Sequence, residues 1–372
     1  MTKTGKFLIY TIVVVVHAIL VFCILSAGKS GENVEEDGVG GQEQSQPQTE
    51  AKNSFDSWRE LFKKTGEAGG QGGEQREEKP APRGASNVQT TSVSSPGYAT
   101  GYFKNAPKEM GKMLAAKTGA VRAGLVIDQD TKQILWSKAA DTAYPIASIT
   151  KLMTAFLLVE QVRAGKATMS DKITITADDV AAVKKWGHGC YLAKDEIYTL
   201  EEMLKAMSIK SANDCAYVAG RYLAGTNEAF IARMNKRAKE LKLNNFTFLN
   251  CNGYPITTNN SRQENMGSAM EVAYLADIVS GIPEIMKWAG TRKDCLREDA
   301  NRFDLVTTNN LIRDKVPGVT GLKTGYTDTA GYCIVVTCER NGRHVMVVLL
   351  GMPAPARNRD DLAKALLNWA YE

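Results

Sequence analysis

The sequence predicts an α+β fold in which an antiparallel sheet is flanked by helices. Two observations support this prediction. Hairpin patterns lie near both ends of the region that runs from about residue 113 to the C-terminus, and helical patterns lie between them. Strands from the two ends can therefore pair in one sheet, against which the intervening helices pack.

Each hairpin pattern consists of two aliphatic runs around a short polar turn. The first joins Ala123–Asp128 to Lys132–Trp136. The second joins Gly331–Cys338 to Val345–Leu350, and the dipeptide Asn341-Gly342 between them favours a tight turn. Runs of this length that are rich in β-branched residues are typical of strands. We expect all four runs to form strands.

Two helical patterns lie between the hairpins. One begins at Ser148, where apolar residues recur at a spacing that predicts a helix with one buried side. The apolar residues are Ile149, Leu152, Met153, Phe156 and Leu157. The other pattern runs from Leu200 through Lys210.

The N-terminus carries an apolar segment that is long enough to cross a membrane. Residues Phe7 to Ala27 include no charged side chain, two lysines precede the segment, and acidic residues follow it. The length of this segment predicts a membrane anchor over residues 1–30, and the positive-inside rule places the rest of the chain outside the cytoplasm. Cleavage as a signal peptide is the alternative and predicts a secreted protein.

Residues 31–112 have the composition of a disordered, flexible linker. They are rich in Gly, Glu, Gln, Ser and Pro and contain few aliphatic residues. One segment, residues 55–64, has apolar residues at helical spacing and is interpreted either as a docking helix or as a transient helix in the tether. Residues 113–372 are then predicted to form one catalytic domain.

The charge and ligand patterns exclude some classes of function. The net charge is +5, but no basic stripe is present, so we expect no binding of nucleic acid. The three histidines and seven cysteines have no paired ligand spacing, so neither a metal nor another cofactor is expected, and His188-Gly-Cys190 is predicted to be a loop. Six cysteines follow residue 113 and permit up to three disulfides, although Cys333 and Cys338 point to opposite faces of one strand.

Three short motifs indicate nucleophilic catalysis. They are Ser148-Ile-Thr-Lys151, Ser211-Ala-Asn213 and Lys323-Thr-Gly325. A serine needs a neighbouring base at neutral pH, and a lysine three residues further along a helix lies on the same face. Burial of Lys151, or the nearby charge of Lys323, would lower its pKa and release the free amine.

These motifs resemble those of the D-alanyl-D-alanine carboxypeptidases, which are low-molecular-mass penicillin-binding proteins of peptidase family S11. The resemblance extends over about 260 residues, from about Lys112 to the C-terminus. The segments Ala147–Ala155, Gly318–Asp328 and Ala330–Cys333 also resemble this family, and Asn252-Gly253 fits its connecting region. The implied fold is that of the DD-peptidases and β-lactamases.

The resemblance implies a role for each motif residue. Ser148 is the expected nucleophile, Lys151 its base, and Ser211 a proton relay to the leaving amine. Six further residues are expected to bind substrate: Asn213, Lys323, Thr324, Gly325, Tyr326 and Arg359. Of these, Lys323 and Thr324 would bind the terminal carboxylate, and the N–H groups of Ser148 and Tyr326 would form an oxyanion hole. Arg357 is the alternative to Arg359, and Asp214 is expected to be structural.

Two positions depart from the family pattern. Ala212 stands where glycine is usual in the middle motif, and Tyr326 stands where histidine is common. We expect activity to survive both changes, because the methyl group is small and a backbone N–H remains at Tyr326.

The expected function is a serine-type D-Ala-D-Ala carboxypeptidase that acts on peptidoglycan stem peptides and is inhibited by β-lactam antibiotics. A DD-endopeptidase and a serine β-lactamase are alternatives, although no E-x-x-L-N-like motif is found downstream. A non-catalytic scaffold that binds the cell wall is a further alternative. The presence of Ser148, Lys151 and Lys323 together argues against the scaffold, because a scaffold has no chemical need for all three.

Overall fold

A six-stranded sheet forms the centre of this computed structural model, which describes residues 101–372 except 185, 259 and 299–301. The strand order is β1-β3-β2-β14-β13-β12. The strands are β1 (Lys104–Asn105), β2 (Ala123–Asp128), β3 (Gln133–Lys138), β12 (Val319–Thr327), β13 (Gly331–Arg340) and β14 (Arg343–Met352). All neighbours pair antiparallel except β1 and β3. The predicted α+β sheet from both chain ends is confirmed.

Both predicted hairpins are present in the sheet. β2 pairs with β3, and β13 pairs with β14. Asn341 and Gly342 both have positive φ, 53° and 74°, which is the backbone conformation that a two-residue turn requires. Strand β2 then pairs with β14 and joins the two hairpins into one sheet.

The helices of the described chain cover both faces of the sheet. They are α1 (Lys112–Thr118), α2 (Lys151–Arg163), α3 (Ala177–Val183), α4 (Leu200–Ile209), α5 (Asn213–Ala224), α6 (Asn227–Glu240), α7 (Ala269–Ser280), α8 (Pro283–Ala289), α9 (Asn310–Arg313) and α10 (Ala356–Tyr371). A short 3₁₀ helix, Ala147–Thr150, leads into α2. On one face, Leu362 and Leu366 of α10 pack against Val347 and Leu349 of β14.

Helix α2 is more buried than its sequence pattern predicts. All nine residues from Lys151 to Val159 are buried, whereas the apolar spacing predicts one buried side. Neighbouring helices α4, α5, α7 and α8 surround α2 on its remaining sides. The structure thus corrects this expectation and makes α2 the central helix, with a lysine inside the domain.

Four two-stranded ladders complete the described fold. They pair β4 (Ala143–Pro145) with β9 (Met266–Ser268), β5 (Lys172–Thr174) with β6 (Ile197–Thr199), β7 (Ile256–Thr258) with β8 (Ser261–Gln263), and β10 (Lys293–Cys295) with β11 (Asp304–Val306). Strand β4 ends just before the 3₁₀ helix begins, so its pairing with β9 helps to position that helix.

The folded region begins before residue 113, which corrects the predicted end of the linker. Phe103 is buried, and the Tyr102 hydroxyl donates to Asp277 at 2.6 Å. Trp369 Nε1 donates to the Glu109 carbonyl at 2.7 Å. Burial of the aromatic rings explains why this polar-looking segment packs on the domain.

The predicted anchor at residues 1–30, the linker up to residue 100 and the segment 55–64 lie outside the described residues. Within residues 101–372, apart from the five undescribed positions, no helix combines the length and apolarity needed to cross a membrane. The six cysteines after residue 113 are described, and all are buried free thiols. Cys338 faces α10 with Ile334 and Val336, and its alternation with Cys333 agrees with the prediction of opposite faces.

Candidate active site

A cleft of about 680 Å³ lies where the 3₁₀ helix, the start of α5 and the edge strand β12 meet. It is lined by seven of the nine predicted site residues: Ser148, Ser211, Asn213, Thr324, Gly325, Tyr326 and Arg359. The other two, Lys151 and Lys323, are buried beneath it, with exposed fractions of 2% and 4%. The structure therefore brings all nine residues to one place.

Lys151 Nζ contacts three oxygen atoms under the nucleophile. It lies 2.9 Å from Ser148 Oγ, 2.7 Å from Asn213 Oδ1 and 2.6 Å from the carbonyl oxygen of Asn252. A neutral amine has two N–H bonds and one lone pair. If the N–H bonds are donated to Asn213 and Asn252, the lone pair is left to accept the Ser148 proton.

Burial lowers the pKa of Lys151 to about 7. The cause is loss of hydration, which disfavours the charged ammonium form. Nearby acidic groups, chiefly the Cys251 thiol and the Asp214 carboxyl, oppose this shift in part. The free amine is then populated at neutral pH, so burial explains how Lys151 can act as the base for Ser148.

Lys323 does not reach the cleft surface, which differs from its expected contact with a carboxylate. Its Nζ donates to Ser211 Oγ at 2.8 Å and to the Thr324 carbonyl at 2.9 Å. Burial, and then repulsion by Lys151 and Arg359, hold the pKa of Lys323 well below its usual range. From this position beneath Ser211, Lys323 can hold the Ser211 hydroxyl in place. Thr324, unlike Lys323, lines the cleft.

Arg359 is the arginine that the fold brings to the cleft. It is almost fully buried, and its guanidinium donates to Asp360 Oδ1 at 2.8 Å and to the Cys333 carbonyl at 3.3 Å. The side chain of Arg357 is 85% exposed and pairs with Asp361 one helical turn on. The geometry therefore favours Arg359 over Arg357.

Strand β12 passes very close to the backbone of the nucleophile. A side chain at Gly325 would place its Cβ 3.0 Å from Ser148 N and from the Ile146 carbonyl. Glycine is needed for this approach, which sets the β12 backbone beside Ser148 N as an oxyanion hole requires. The ring of Tyr326 is half exposed and stacks on Tyr332 at 4.3 Å.

A turn at Asn252-Gly253 supports the nucleophile from below. Gly253 has φ +80°, and a Cβ there would lie 1.9 Å from the Ala147 carbonyl. Asn265 fixes the turn by donating to Thr150 Oγ1 and to the Asn250 carbonyl, each at 2.9 Å. The family resemblance places Asn252-Gly253 in the connecting region, but the contact between the Asn252 carbonyl and Lys151 has no signal in the sequence.

His188 lies in a loop, as predicted, but that loop borders the cleft. Its Nε2 is 2.8 Å from the Lys210 carbonyl, and its own carbonyl accepts the N–H of Asn213. Burial lowers the pKa of His188, which favours the neutral ring. The sequence did not predict that His188 lies beside the cleft, because the bond between its carbonyl and the N–H of Asn213 joins a loop to a separate helix.

Asp214 has the structural role expected of it. Its carboxylate accepts the N–H of Cys190 and the N–H of Cys215, both at 2.8 Å. These bonds attach the His188 loop to the first turn of α5. The loop and Asn213 therefore form one wall of the cleft.

Comparisons with known proteins agree with this geometry. Residues 111–354 match the family model of peptidase S11, described as D-alanyl-D-alanine carboxypeptidase. The chain is 34% identical over 265 residues to the D-alanyl-D-alanine carboxypeptidase DacF of Bacillus subtilis, an alignment that covers 71% of this chain and 65% of that protein. The chain thus spans less than two thirds of that relative's length.

Two further similarities extend the comparison. A D-alanyl-D-alanine endopeptidase of Haemophilus influenzae is 29% identical over 228 residues, which is 61% of this chain and 74% of that protein. The crystal structure of penicillin-binding protein D2 from Listeria monocytogenes, in its ampicillin-bound form, superposes with a TM-score of 0.59 at 27% identity, over 68% of this chain and 98% of that one. With the matched family model covering most of its length, the chain belongs to peptidase family S11, the D-alanyl-D-alanine carboxypeptidases.

Proposed function

We propose that this protein is a serine-type D-Ala-D-Ala carboxypeptidase that removes the terminal D-alanine from peptidoglycan stem peptides. One observation carries the proposal. Lys151 Nζ is buried, has two acceptors besides Ser148, and lies 2.9 Å from the Ser148 hydroxyl. This arrangement supplies a nucleophile with its base at neutral pH.

Acylation begins when the neutral amine of Lys151 takes the proton of Ser148. The Ser148 oxygen attacks the carbonyl carbon of the penultimate D-alanine, and the developing oxyanion is stabilised by the N–H groups of Ser148 and Tyr326. The C–N bond then breaks. Ser211, whose hydroxyl oxygen accepts from Lys323 at 2.8 Å, relays the proton that Lys151 took up to the nitrogen of the leaving D-alanine. Ser211 keeps its hydroxyl, and Lys151 returns to the neutral amine.

Substrate orientation depends on charge at the far end of the cleft. The terminal carboxylate of the substrate is bound by Thr324 and Arg359, which line the same cleft as Ser148. Asn213 contacts the substrate amide through the part of its side chain that does not accept from Lys151. Water hydrolyses the acyl-enzyme, and Ser148 regains its proton.

A β-lactam follows the same acylation path. Binding of its carboxylate places the carbonyl carbon of the strained amide at Ser148. When the ring opens, the amine stays attached to the acyl group and cannot leave the site. The acyl-enzyme is therefore long-lived, and β-lactam antibiotics act as inhibitors. The ampicillin-bound state named for the Listeria protein supports this part of the proposal.

An endopeptidase that cuts D-amino-acid cross-links is the second candidate, because the Haemophilus relative carries that description. It uses the same nucleophile and differs in the group on the departing amine. A β-lactamase is less favoured, since the described residues that line the cleft include no glutamate to activate a deacylating water. A non-catalytic scaffold that binds the cell wall would not explain why the buried Lys151 amine contacts the Ser148 hydroxyl.

We infer the location of the protein from its N-terminal sequence. Residues 1–30 anchor the chain in the cell membrane, and the polar residues that follow tether the catalytic domain on the outer side. Removal of the segment as a signal peptide would give a secreted domain instead. Fractionation of cells that express the full chain, compared with a chain whose first 30 residues are replaced by a cleavable signal, separates these outcomes.

The direct test of the activity is release of D-alanine from an acyl-D-Ala-D-Ala peptide. Wild-type protein should release D-alanine, and Ser148→Ala should release none above the uncatalysed rate. A cross-linked muropeptide dimer, assayed in parallel, separates carboxypeptidase from endopeptidase activity. Release of D-alanine by Ser148→Ala at the wild-type rate would overturn the assignment of the nucleophile.

A further inference from the structure

Two cysteine side chains meet behind the wall of the cleft. Cys190 follows the His188 loop, and Cys215 lies in the first turn of α5, two residues after Asn213. Both residues are completely buried. Their Sγ atoms lie within 4.8 Å of each other, so the two thiols are close neighbours inside the domain.

The backbone already holds these two residues together. One carboxylate, that of Asp214, accepts the N–H of Cys190 on one oxygen and the N–H of Cys215 on the other. The loop is packed tightly against this group, since a Cβ at Gly189 would lie 2.5 Å from Asp214 Oδ2. The main-chain positions of the two cysteines are thus fixed at short range before any covalent bond forms.

We propose that Cys190 and Cys215 form a disulfide bond in the exported protein. The inference rests on the outward location proposed above, because disulfides persist in oxidising compartments. Two S–H bonds are lost and one S–S bond forms, with release of two protons and two electrons. A disulfide oxidant, such as oxidised glutathione or an exported thiol–disulfide oxidoreductase, accepts the two electrons and two protons, and its own disulfide is reduced to two thiols.

Metal binding fits the same cluster less well. Cys190, Asp214 and Cys215 offer three ligand atoms that lie close together. However, both oxygens of Asp214 already accept backbone N–H groups, which compete with a metal ion for the carboxylate. Within the described part of the chain, no further His, Cys, Asp or Glu completes this group as a fourth ligand.

The bond would link the two pieces that form one wall of the active site. It closes a loop of 25 residues (215 − 190) that contains helix α4, Ser211 and Asn213. A cross-link of this size stabilises the fold mainly by restricting the unfolded chain. Because the Asp214 carboxylate already holds the two segments together, the rate of acylation by a β-lactam should change less than two-fold.

The test uses the full chain, exported to a bacterial periplasm and extracted in detergent, with iodoacetamide present from the moment of lysis. Denaturation, complete alkylation and proteolysis without reductant should then give one peptide pair linked through Cys190 and Cys215. The pair should disappear when dithiothreitol is added before alkylation. Full alkylation of both cysteines in unreduced protein that still binds penicillin would overturn the proposal.

Thermal unfolding supplies an independent readout. Dithiothreitol should lower the unfolding midpoint of wild-type protein by several degrees, and should leave that of the Cys190→Ala/Cys215→Ala variant unchanged. The matched control is Cys295→Ala/Cys338→Ala, which should still respond to the reductant. An equal response of all three proteins, or one equivalent of zinc in the purified wild type, would contradict a disulfide. Penicillin labelling of the same samples reports the proposed function separately.

Discussion

At the scale of single residues, the proton affinity of Lys151 controls the chemistry. Its three oxygen partners hold the Nζ atom under Ser148, and burial lowers its pKa to about 7. A protonated amine cannot take the serine proton, so the fraction of deprotonated Lys151 sets the fraction of active enzyme. This dependence makes pH the most direct probe of the base.

The rate constant for acylation by benzylpenicillin should rise with pH and level off above pH 7. Below the pKa of Lys151, each lower pH unit should reduce the rate about ten-fold, because the free amine falls ten-fold. Stopped-flow or quenched labelling between pH 5 and 9 measures the profile. A rate that stays flat from pH 5 to 9 would remove Lys151 from the role of base.

Lys151→Arg is the matched variant for the same question. A guanidinium keeps the positive charge but stays protonated throughout this pH range. Acylation should fall by at least about 1000-fold, within the usual contribution of a general base to a nucleophilic reaction. Thermal unfolding of the variant serves as the check that the domain remains folded.

The two arginines near the start of α10 provide a second test at this scale. Arg359→Lys keeps a charge near the cleft but loses the planar set of donors, so KM for an acyl-D-Ala-D-Ala peptide should rise about ten-fold or more. Arg357→Lys is the control and should change KM less than two-fold, because its side chain is exposed to solvent. Equal effects from both variants would argue against a specific carboxylate contact at Arg359.

The motif residues could be predicted from the sequence, but their mutual contacts could not. Ser148 and Lys151 are three residues apart in one helical run, so local geometry alone places them together. The contacts of Lys151 with Asn213 and Asn252, and of Lys323 with Ser211, join distant parts of the chain. They depend on how α5, the Asn252 turn and β12 pack around α2, which no local pattern records.

At the scale of elements, the 3₁₀ helix is held between β12 and the turn at Gly253. Gly325 on one side and Gly253 on the other each lie against the backbone of residues 146–148. Ala147 itself has a positive φ of 47°. Close backbone contact on both sides thus fixes the position of the nucleophile.

Gly253→Ala should therefore displace the nucleophile. Its Cβ would lie 1.9 Å from the Ala147 carbonyl, and its φ of +80° is unfavourable for alanine. We expect acylation by benzylpenicillin to slow by at least about 100-fold, the effect of a misplacement of about 1 Å at a reacting group.

Gly342→Ala is the control for this prediction. Gly342 also has a positive φ, +74°, but no atom lies within 4 Å of the position that a Cβ would take. The change should lower the unfolding midpoint by only about 2–4 °C and leave acylation intact. If Gly253→Ala behaved in the same way, the proposed support of the nucleophile from below would be wrong.

The long helices and strands could be predicted from local sequence patterns, whereas the short strands could not. Both hairpins and the helix at Leu200 show clear periodicity, and the structure contains them as α4, β2–β3 and β13–β14. The three-residue strands of the ladders, such as β4 and β9, form only because their partners are brought together by the fold. The burial of α2 on all sides likewise reflects its neighbours and not its own apolar pattern.

At the scale of the whole molecule, the first described residues of the domain and the active site lie at opposite edges of the main sheet. Strand β1 forms one edge and β12 the other, with four strands between them. Residues 102–109 contact Asp277 and Trp369 and not the cleft. Stability and catalysis can therefore be changed separately.

A chain that begins at residue 113 should be less stable than one that begins at residue 101, and equally reactive. The shorter chain loses the buried ring of Phe103 and the hydrogen bond of Tyr102, so its unfolding midpoint should fall by about 4–12 °C. Its acylation rate at 20 °C should match that of the longer chain. Equal midpoints would show that residues 101–112 do not belong to the folded domain.

The overall composition distinguished the apolar N-terminal segment, the polar region and the aliphatic-rich domain, but it placed the domain boundary about ten residues too late. Tyr102 and Phe103 stand in a glycine-rich context that resembles linker. The pairing of β1 with β3, the burial of Phe103 and the hydrogen bond of Tyr102 to Asp277 identify them as part of the domain.

The central claim is that Ser148 forms an acyl-enzyme with substrates and β-lactams. The most direct measurement is an intact-mass time course of residues 101–372 mixed with benzylpenicillin, in parallel with Ser148→Ala. We predict a lasting adduct of one penicillin on the wild type, mapped to Ser148, and none on the variant. Absence of an adduct on folded wild-type protein, or rapid turnover of the drug to free enzyme, would contradict the account.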